Sequence, residues 1–344
     1  MKSTIIKILK FTGFLAIGLV LLYFAFRGIS FENLVEDFKN AQYSWVFLSL
    51  GFALIAYISR AIRWNLIIEP LGYKPELKNT FYSMMVGYLA NFAFPRIGEI
   101  TRCATLGKKE KIPVDKLVGT VIVERAVDFM SLLVLLAILI IFRYETFGDF
   151  FRDNVFIPLG NKITRTLDFS YIIWIVVGAI FIISLISYLV FREQLSRVKI
   201  ISKGKDIIKG IIEGLKAVYK LKKRGWFIFH SVFIWINYWL MTWVVVFALS
   251  ATADLKIIDG LFILVIGGLA MSAPVQSGIG AFHWIVSRGL AAVYPWISIE
   301  EGLVFATISH ESQSILAILL GSISFALIFR KKKTRETVSL KGAN

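Results

Sequence analysis

Apolar runs of about 20 residues recur along this chain, and they restrict the possible folds more than any other feature of its sequence. A helix of roughly that length crosses the ~30 Å hydrocarbon core of a bilayer. The hydrophobic share is 57% of 344 residues, above the about 45–50% of a soluble domain. Continuous spans are predicted at about 8–27, 44–66, 116–142, 170–191, 226–250 and 302–329. We therefore expect an all-α polytopic membrane protein with about six full transmembrane helices.

Two further apolar segments, 81–108 and 260–292, contain residues that interrupt helices. The interruptions are Pro95 and Gly98 in the first segment, and Pro274, Gly278 and Gly280 in the second. Proline removes a backbone donor and clashes with the preceding turn, so each helix should stop there. Halves of about 14 residues reach only roughly 21 Å, which is too short to span a bilayer. The pattern predicts two re-entrant hairpins of broken helices.

The positive charge is distributed as the positive-inside rule requires. The net charge is +16, but the basic residues flank apolar runs and form no separate domain, which favours anionic headgroups over nucleic acid as partner. With both hairpins re-entrant, 28 basic residues fall in segments on one side and 6 on the other. Orientation follows these residues, so both termini are expected in the cytoplasm, in a bacterial or archaeal cytoplasmic membrane.

The order span, broken hairpin, span occurs twice, at about 44–142 and about 226–329. With the hairpins entering from opposite sides, this is the inverted-topology repeat of transporters, whose discontinuous helices form a site near the midplane. Residues 1–330 are read as one membrane domain. It includes an amphipathic helix at about 203–224, expected on the cytoplasmic leaflet, and 331–344 form a basic tail.

Ionisable residues inside spans are costly and are functional candidates by default. Glu124, Arg125 and Asp128 lie together in the span 116–142. Glu124 and Asp128 are one helical turn apart and share a face, whereas Arg125 points elsewhere and should pair with another element. A structural ion-pair network and a transport site are both consistent with this group.

The first hairpin places Asn91, Arg96, Glu99 and Arg102 around its break. A helix starting after the break would direct free N–H groups at an anion, and an arginine fork matches phosphate. Arg60 and Arg63 could join this anion site, or extend to the membrane interface. Trp64, beside them, is expected to be an interfacial residue.

The second half supplies Gln276, His283, His310 and Glu311. His310 could relay protons or be a hydrogen-bonded structural residue. Glu311 mirrors Glu124, since each lies four residues after a threonine on the span that follows a hairpin. The histidines and the single cysteine show no zinc-ligand spacing, and no phosphate-binding GxxxxGK[ST] loop occurs. No metal, cofactor or ATP-driven step is therefore expected.

Four segments resemble the transmembrane region of lysylphosphatidylglycerol synthases, a family of flippase-like membrane proteins. They are RAIRW at 60–64, GYLANFAFPRIGEITR at 87–102, VERAVD at 123–128 and SAPVQSGIGAFH at 272–283. The resemblance covers roughly 40–330. In the fused synthases this region is thought to move the lipid product between leaflets, and an aminoacyl-transferase domain follows it. No such domain is expected from these 344 residues, so the resemblance implies lipid translocation without synthesis.

The sequence thus predicts a flippase-like transporter and not an enzyme. The expected substrate is an anionic or phosphate-bearing lipid, of phospholipid or polyprenyl-phosphate type, moved by facilitated or ion-coupled exchange. Two alternatives remain open. One is a secondary transporter of a small anion or metabolite. The other is an intramembrane enzyme using Glu124 with Asp128, or His310 with Glu311, as acid and base.

Overall fold

Long apolar helices dominate the computed structural model, which describes residues 12, 16, 18–26, 31–143, 219, 221–273 and 275–330. Within these residues, four helices are long and apolar enough to cross a membrane. They cover Tyr43–Leu71, Val114–Phe142, Arg224–Ala248 and Ile299–Phe329. These confirm the spans predicted at 44–66, 116–142, 226–250 and 302–329.

The described residues fold entirely into helices and their connections. In chain order the α-helices are α1 (Phe31–Asn40), α2 (Tyr43–Ile68), α3 (Leu77–Ala93), α4 (Gly98–Glu110), α5 (Val114–Phe142), α6 (Arg224–Val244), α7 (Ile257–Ala270), α8 (Ala281–Val293) and α9 (Ile299–Phe329). Short 3₁₀ turns follow α2 and α6, and another, Gln276–Gly278, lies between α7 and α8.

Several predicted elements lie wholly or partly outside the described residues. The span at 170–191, the tail at 331–344 and Pro274 are outside them entirely. The first predicted span, 8–27, is described in part, and residues 18–26 are helical. Of the predicted amphipathic helix, only 219 and 221–224 are described.

Two pairs of short helices fold back on themselves as hairpins, α3 with α4 and α7 with α8. Both helix breaks fall where the sequence predicts them, since α3 ends at Ala93 and α7 ends at Ala270. The four helices have 17, 13, 14 and 13 residues, or about 20–26 Å at ~1.5 Å per residue. Each is clearly shorter than the four long helices.

The first hairpin opens at one end of the helix bundle, which we call the basic end. The long helix α2 finishes there, and Lys223 before α6 forms an ion pair of 2.9 Å with Glu69 after α2. The start of α3 meets the end of α4 through a 2.6 Å hydrogen bond from Asn79 Nδ2 to Glu110 Oε1. Lys109 of α4 binds a carbonyl at the end of α9. Both open ends of the first hairpin, the start of α3 and the end of α4, therefore lie at the basic end.

The second hairpin opens at the opposite end. Here the Gln42 N–H, before α2, donates to the Ala248 carbonyl, after α6, at 2.8 Å. Asp259 in the first turn of α7 pairs with Arg143 at the end of α5. The hydroxyl of Tyr294, which follows α8, donates to the same carboxylate at 2.8 Å. The two hairpins thus enter the bundle from opposite ends.

The tips of the two hairpins are in contact with each other through an exposed hydrogen bond. At the first tip, Arg96 has a left-handed backbone (φ 62°), and its Nη2 donates to the carbonyl of Ser272 in the second tip at 2.7 Å. Gly87 and Gly98 hold the first hairpin closed, because a Cβ on Gly98 would lie 2.1 Å from the Gly87 carbonyl oxygen. Only glycine permits this approach of the two backbones.

Much apolar side-chain surface on these helices faces outward. Phe47, Ile141 and Phe142 are 71–73% exposed, and the most apolar window of α5 is only 11% buried inside the protein. Exposed apolar surface on this scale is expected where the surrounding solvent is lipid. Together with the long helices, it makes this a multi-pass membrane protein.

Candidate functional site

Glu124 is the centre of a buried cluster of arginines between α2, α4 and α5. Its Oε1 accepts from Arg60 Nη2 at 2.6 Å and from Arg63 Nη2 at 3.2 Å. Its Oε2 accepts from Arg102 Nη2 at 2.7 Å. All four side chains are at most 9% exposed. Both oxygens of this carboxylate are therefore occupied by guanidinium donors.

Asp128, one turn further along α5, is the second carboxylate of the cluster. Its oxygens lie 2.7 Å from Arg63 Nη2 and 3.4 Å from Arg60 Nη2. Arg60 and Arg63 are three residues apart on α2, so both point toward the same face of α5. The pairing fixes α2 against α5 through four charged groups.

Side chains from α6 and α2 complete the surroundings of the arginines. Arg60 Nη1 donates to the Tyr238 hydroxyl at 3.2 Å, and Arg63 Nη1 to Ser231 Oγ at 3.4 Å. The ring of Trp64 lies 4.6 Å from the Arg102 guanidinium carbon, in a cation–π contact. Trp64 is fully buried, so its predicted interfacial position is wrong. Burial likewise excludes extension of Arg60 and Arg63 to the interface.

The cluster carries more positive than negative charge. Three arginines face two carboxylates, which leaves a formal excess of one positive charge. Among the described residues, four buried guanidinium nitrogens also have no hydrogen-bond partner: Nε of Arg60, Nε of Arg63, and Nε and Nη1 of Arg102. The buried hydroxyl of Tyr88, whose ring lies 6.0 Å from the Arg60 guanidinium, is unpartnered as well. Buried donors without acceptors are costly, and an anion would satisfy both the donors and the charge.

Arg125 and Glu99 form a separate pair outside this cluster. Arg125 Nε lies 2.6 Å from Glu99 Oε1, and the two side chains are 46% and 40% exposed. The sequence predicts that Arg125 pairs with another element, and its partner Glu99 lies on α4. Arg125 points about 100° away from Glu124 around α5, as helix geometry requires.

At the first helix break, where the sequence predicts an anion site, two of the proposed donors have protein partners. The Gly98 N–H at the start of α4 donates to Asn91 Oδ1 at 2.8 Å, and Arg96 is bound to the second tip. Asn91 thus fills the position that an anion would take. The arginine from this hairpin that reaches the buried carboxylate is Arg102, about one turn along α4.

A second polar cluster lies where α8 and α9 meet the tip of the second hairpin. His310 Nδ1 lies 3.0 Å from Glu311 Oε1, and His310 Nε2 lies 3.0 Å from the Ser277 carbonyl oxygen. His283 Nε2 is 3.5 Å from the same Glu311 oxygen. Both histidines are buried, while Glu311 is partly open. Gln276 is buried in the adjoining 3₁₀ turn.

Sequence reasoning missed the polar residues that α6 and α3 add to the arginine cluster, namely Ser231, Tyr238 and Tyr88. Tyrosine and serine are ordinary in apolar helices, so nothing in their local sequence distinguishes them. Their contribution depends on α6 packing against α2, which is a tertiary contact.

Comparisons with known proteins agree with this fold. Residues 12–321 match the family described as the lysylphosphatidylglycerol synthase TM region. A UPF0104 membrane protein, MJ1595 of Methanocaldococcus jannaschii, is 25% identical to this chain over 352 aligned residues, which cover 96% of each protein. No solved structure matches the chain significantly. With a family model matched over almost its whole length, the chain belongs to the lysylphosphatidylglycerol synthase TM region family.

Proposed function

We propose that this protein moves an anionic or phosphate-bearing lipid between the leaflets of the membrane. The movement would be facilitated or ion-coupled, and the lipid's phosphate would bind at the arginine cluster. One observation carries the proposal: a buried group of three arginines and two carboxylates that keeps unpartnered guanidinium N–H groups. Arginine forks bind phosphate in a bidentate manner.

Arg102 is the residue best placed to bind the phosphate. Its Nη2 donates a hydrogen bond to Glu124 at 2.7 Å. Its Nε and Nη1 have no hydrogen-bond partner among the described residues. It also supplies the charge that the two carboxylates do not balance. The neighbouring Tyr88 hydroxyl offers a neutral donor to the same anion.

A groove beside the cluster favours a lipid over a small soluble anion. The groove has a volume of about 410 Å³ and is lined by Ile62, Leu66, Lys223, Trp226 and His230. Its walls are mainly apolar, and they include a lysine and a tryptophan, residue types that are common at a headgroup interface. His230 is adjacent in sequence to Ser231, the hydrogen-bond partner of Arg63. Acyl or prenyl chains could follow this groove while the phosphate approaches the arginines.

Transport accounts for the cluster better than catalysis does. A general base needs an oxygen free to accept a proton from substrate. Both oxygens of Glu124 already accept from arginine, and Asp128 is paired with two guanidiniums. These carboxylates therefore position the arginines, and we propose no reaction chemistry for them.

The proposed topology has six full spans and two re-entrant hairpins in an inverted repeat, with both termini in the cytoplasm. Two observations support it: the hairpins enter the bundle from opposite ends, and basic residues are concentrated in one set of loops, 28 against 6. The basic end would face the cytoplasm. In a Cys103→Ser background, cysteine at 109 should react with membrane-impermeant maleimide only from inside, and cysteine at 300 only from outside. Labelling of position 109 from outside would contradict the topology.

Lipid movement is tested with purified protein in liposomes that contain fluorescent phosphatidylglycerol or a fluorescent short polyprenyl phosphate. Dithionite bleaches only outer-leaflet probe, so its second, slow phase reports exchange between leaflets. We expect wild-type protein to accelerate this phase for at least one of the two probes. Arg102→Gln should slow it by roughly tenfold or more, because one charge-assisted contact is worth ~1.5–3 kcal/mol.

Lys108→Gln is the matched control, since it removes a positive charge from the same helix at an exposed position. It should exchange lipid at the wild-type rate. Acceleration of neither probe by wild-type protein would contradict lipid transport. Wild-type exchange in a folded Arg102→Gln protein would instead contradict the assignment of the arginine cluster.

A further inference from the structure

We infer that His283, His310 and Glu311 form a binding site for a divalent transition-metal ion of the zinc class. This cluster is separate from the arginine site, and the inference does not depend on the proposed lipid transport. It rests on the contacts of three side chains from α8 and α9 with one another and with the tip of the second hairpin.

The contacts of His310 require a proton or a metal ion beside Nδ1. The Ser277 carbonyl oxygen can only accept, so the 3.0 Å contact at Nε2 places the ring proton on that nitrogen. Nδ1 of a neutral ring then carries a lone pair, and it faces Glu311 Oε1 at 3.0 Å. Two acceptors at this distance repel unless a proton or a metal ion lies between them.

The third member of the cluster favours a metal ion over a shared proton. His283 Nε2 lies 3.5 Å from the same Glu311 oxygen, which is long for a charge-assisted hydrogen bond. Ligand atoms bound tetrahedrally to zinc at ~2.05 Å lie ~3.3 Å apart, close to both measured separations. The ligand atoms of all three residues lie within 4.8 Å of one another. A shared proton bridges only two of these groups, whereas a metal ion can bind all three.

The surroundings match a metal site in two further respects. A histidine ligand commonly donates its other N–H to a backbone carbonyl, which fixes the tautomer, and His310 donates to Ser277 in this way. Two histidines with one glutamate are also an established ligand set for zinc with one open position. Glu311 is 39% exposed, so a water or a substrate oxygen could reach that position.

Cobalt(II) is a suitable probe because its visible absorption reports tetrahedral coordination. The full chain would be purified on a tag without histidines, treated with a chelator and titrated with Co²⁺ in detergent at pH 8, where free imidazole is neutral. We expect one Co²⁺ per chain with tetrahedral d–d bands, displaced by one Zn²⁺. Glu311→Gln and His283→Asn should each weaken binding by at least the ~10–100-fold that follows loss of an outer-shell partner, because each removes a direct ligand.

His230→Asn is the matched control, because His230 is the remaining histidine of the three in the chain. It should bind Co²⁺ as the wild type does. Absence of cobalt bands in wild-type protein would overturn the site and assign a proton to the position between His310 and Glu311. Undiminished binding in Glu311→Gln, with an unchanged gel-filtration profile, would overturn it equally. Neither result depends on lipid transport.

Discussion

Replacement of Glu124 by glutamine tests whether the arginine cluster is built as described. The substitution keeps the shape of the side chain but removes its charge and turns one acceptor oxygen into an N–H donor. Three guanidiniums donate to the two carboxylate oxygens at 2.6–3.2 Å in the wild type, and glutamine leaves them only one oxygen that can accept. At least one guanidinium is left facing another donor.

The expected cost follows from these contacts. Removing one partner from a buried ion pair costs about 3–5 kcal/mol, because the remaining charges stay buried and unpaired. At ~2–4 °C per kcal/mol, the melting temperature in detergent should fall on the order of 10 °C. Arg102→Gln should cost less, since it leaves two arginines balanced by Glu124 and Asp128 and mainly loses one bond and the contact with Trp64.

The two variants should also respond oppositely to an anionic lipid. Glu124→Gln raises the formal excess to two positive charges, whereas Arg102→Gln removes the excess. Mixed micelles with phosphatidylglycerol should therefore raise the melting temperature most for Glu124→Gln and least for Arg102→Gln, with wild type between them. Tryptophan fluorescence during heating measures all three. A Glu124→Gln protein that melts within about 2 °C of wild type would refute the buried ion-pair network.

Three further predictions concern the hairpins and α1. Gly98→Ala should destabilise the first hairpin by more than about 2 kcal/mol, because the new Cβ would lie 2.1 Å from the Gly87 carbonyl oxygen; a melting curve that matches wild type would contradict this contact. Arg96→Ala removes an exposed hydrogen bond between the hairpin tips, so it should slow lipid exchange while shifting the melting temperature little, and a liposome assay beside a melting curve separates these effects. Burial and the neighbouring Glu301 raise the pKa of Asp37 on α1. Its folded form therefore favours the protonated carboxyl, and this group should add slightly to stability as pH falls through that pKa. Asp37→Asn should remove that contribution, seen as the difference between wild-type and variant melting curves from pH 4 to 7.

The positions of the long helices can be predicted from local sequence, because the hydrocarbon core of the membrane restricts which backbone structures can cross it. Every backbone polar group in the membrane must be bonded internally, so a long apolar run becomes a helix. The four long helices therefore lie where hydropathy predicts them. The first break is equally local, since Pro95 cannot continue a helix, and α3 ends at Ala93.

The partners of charged residues were decided by tertiary structure. Helical spacing correctly directed Arg125 away from Glu124, but it could not name the partners of Glu124, which are arginines from α2 and α4, up to 64 positions away. The sequence placed Arg96 at a helix start as one candidate anion ligand, and in the structure Asn91 binds the Gly98 N–H there while Arg96 joins the two hairpin tips. A helical period fixes the direction of a side chain, whereas its partner depends on which helix packs there.

The partners of the clustered histidines also depend on tertiary packing and not on sequence spacing. The sequence contains His283, His310 and Glu311 at spacings that match no zinc motif, because short spacing is needed only when one helix or loop supplies the ligands. Here α8 and α9 supply them together, and the second hairpin adds the Ser277 carbonyl. The sequence by itself determined the membrane-spanning helices, the first helix break and the family. Only the packing of hairpins against long helices determined which polar groups are buried together, because that choice depends on contacts between distant segments.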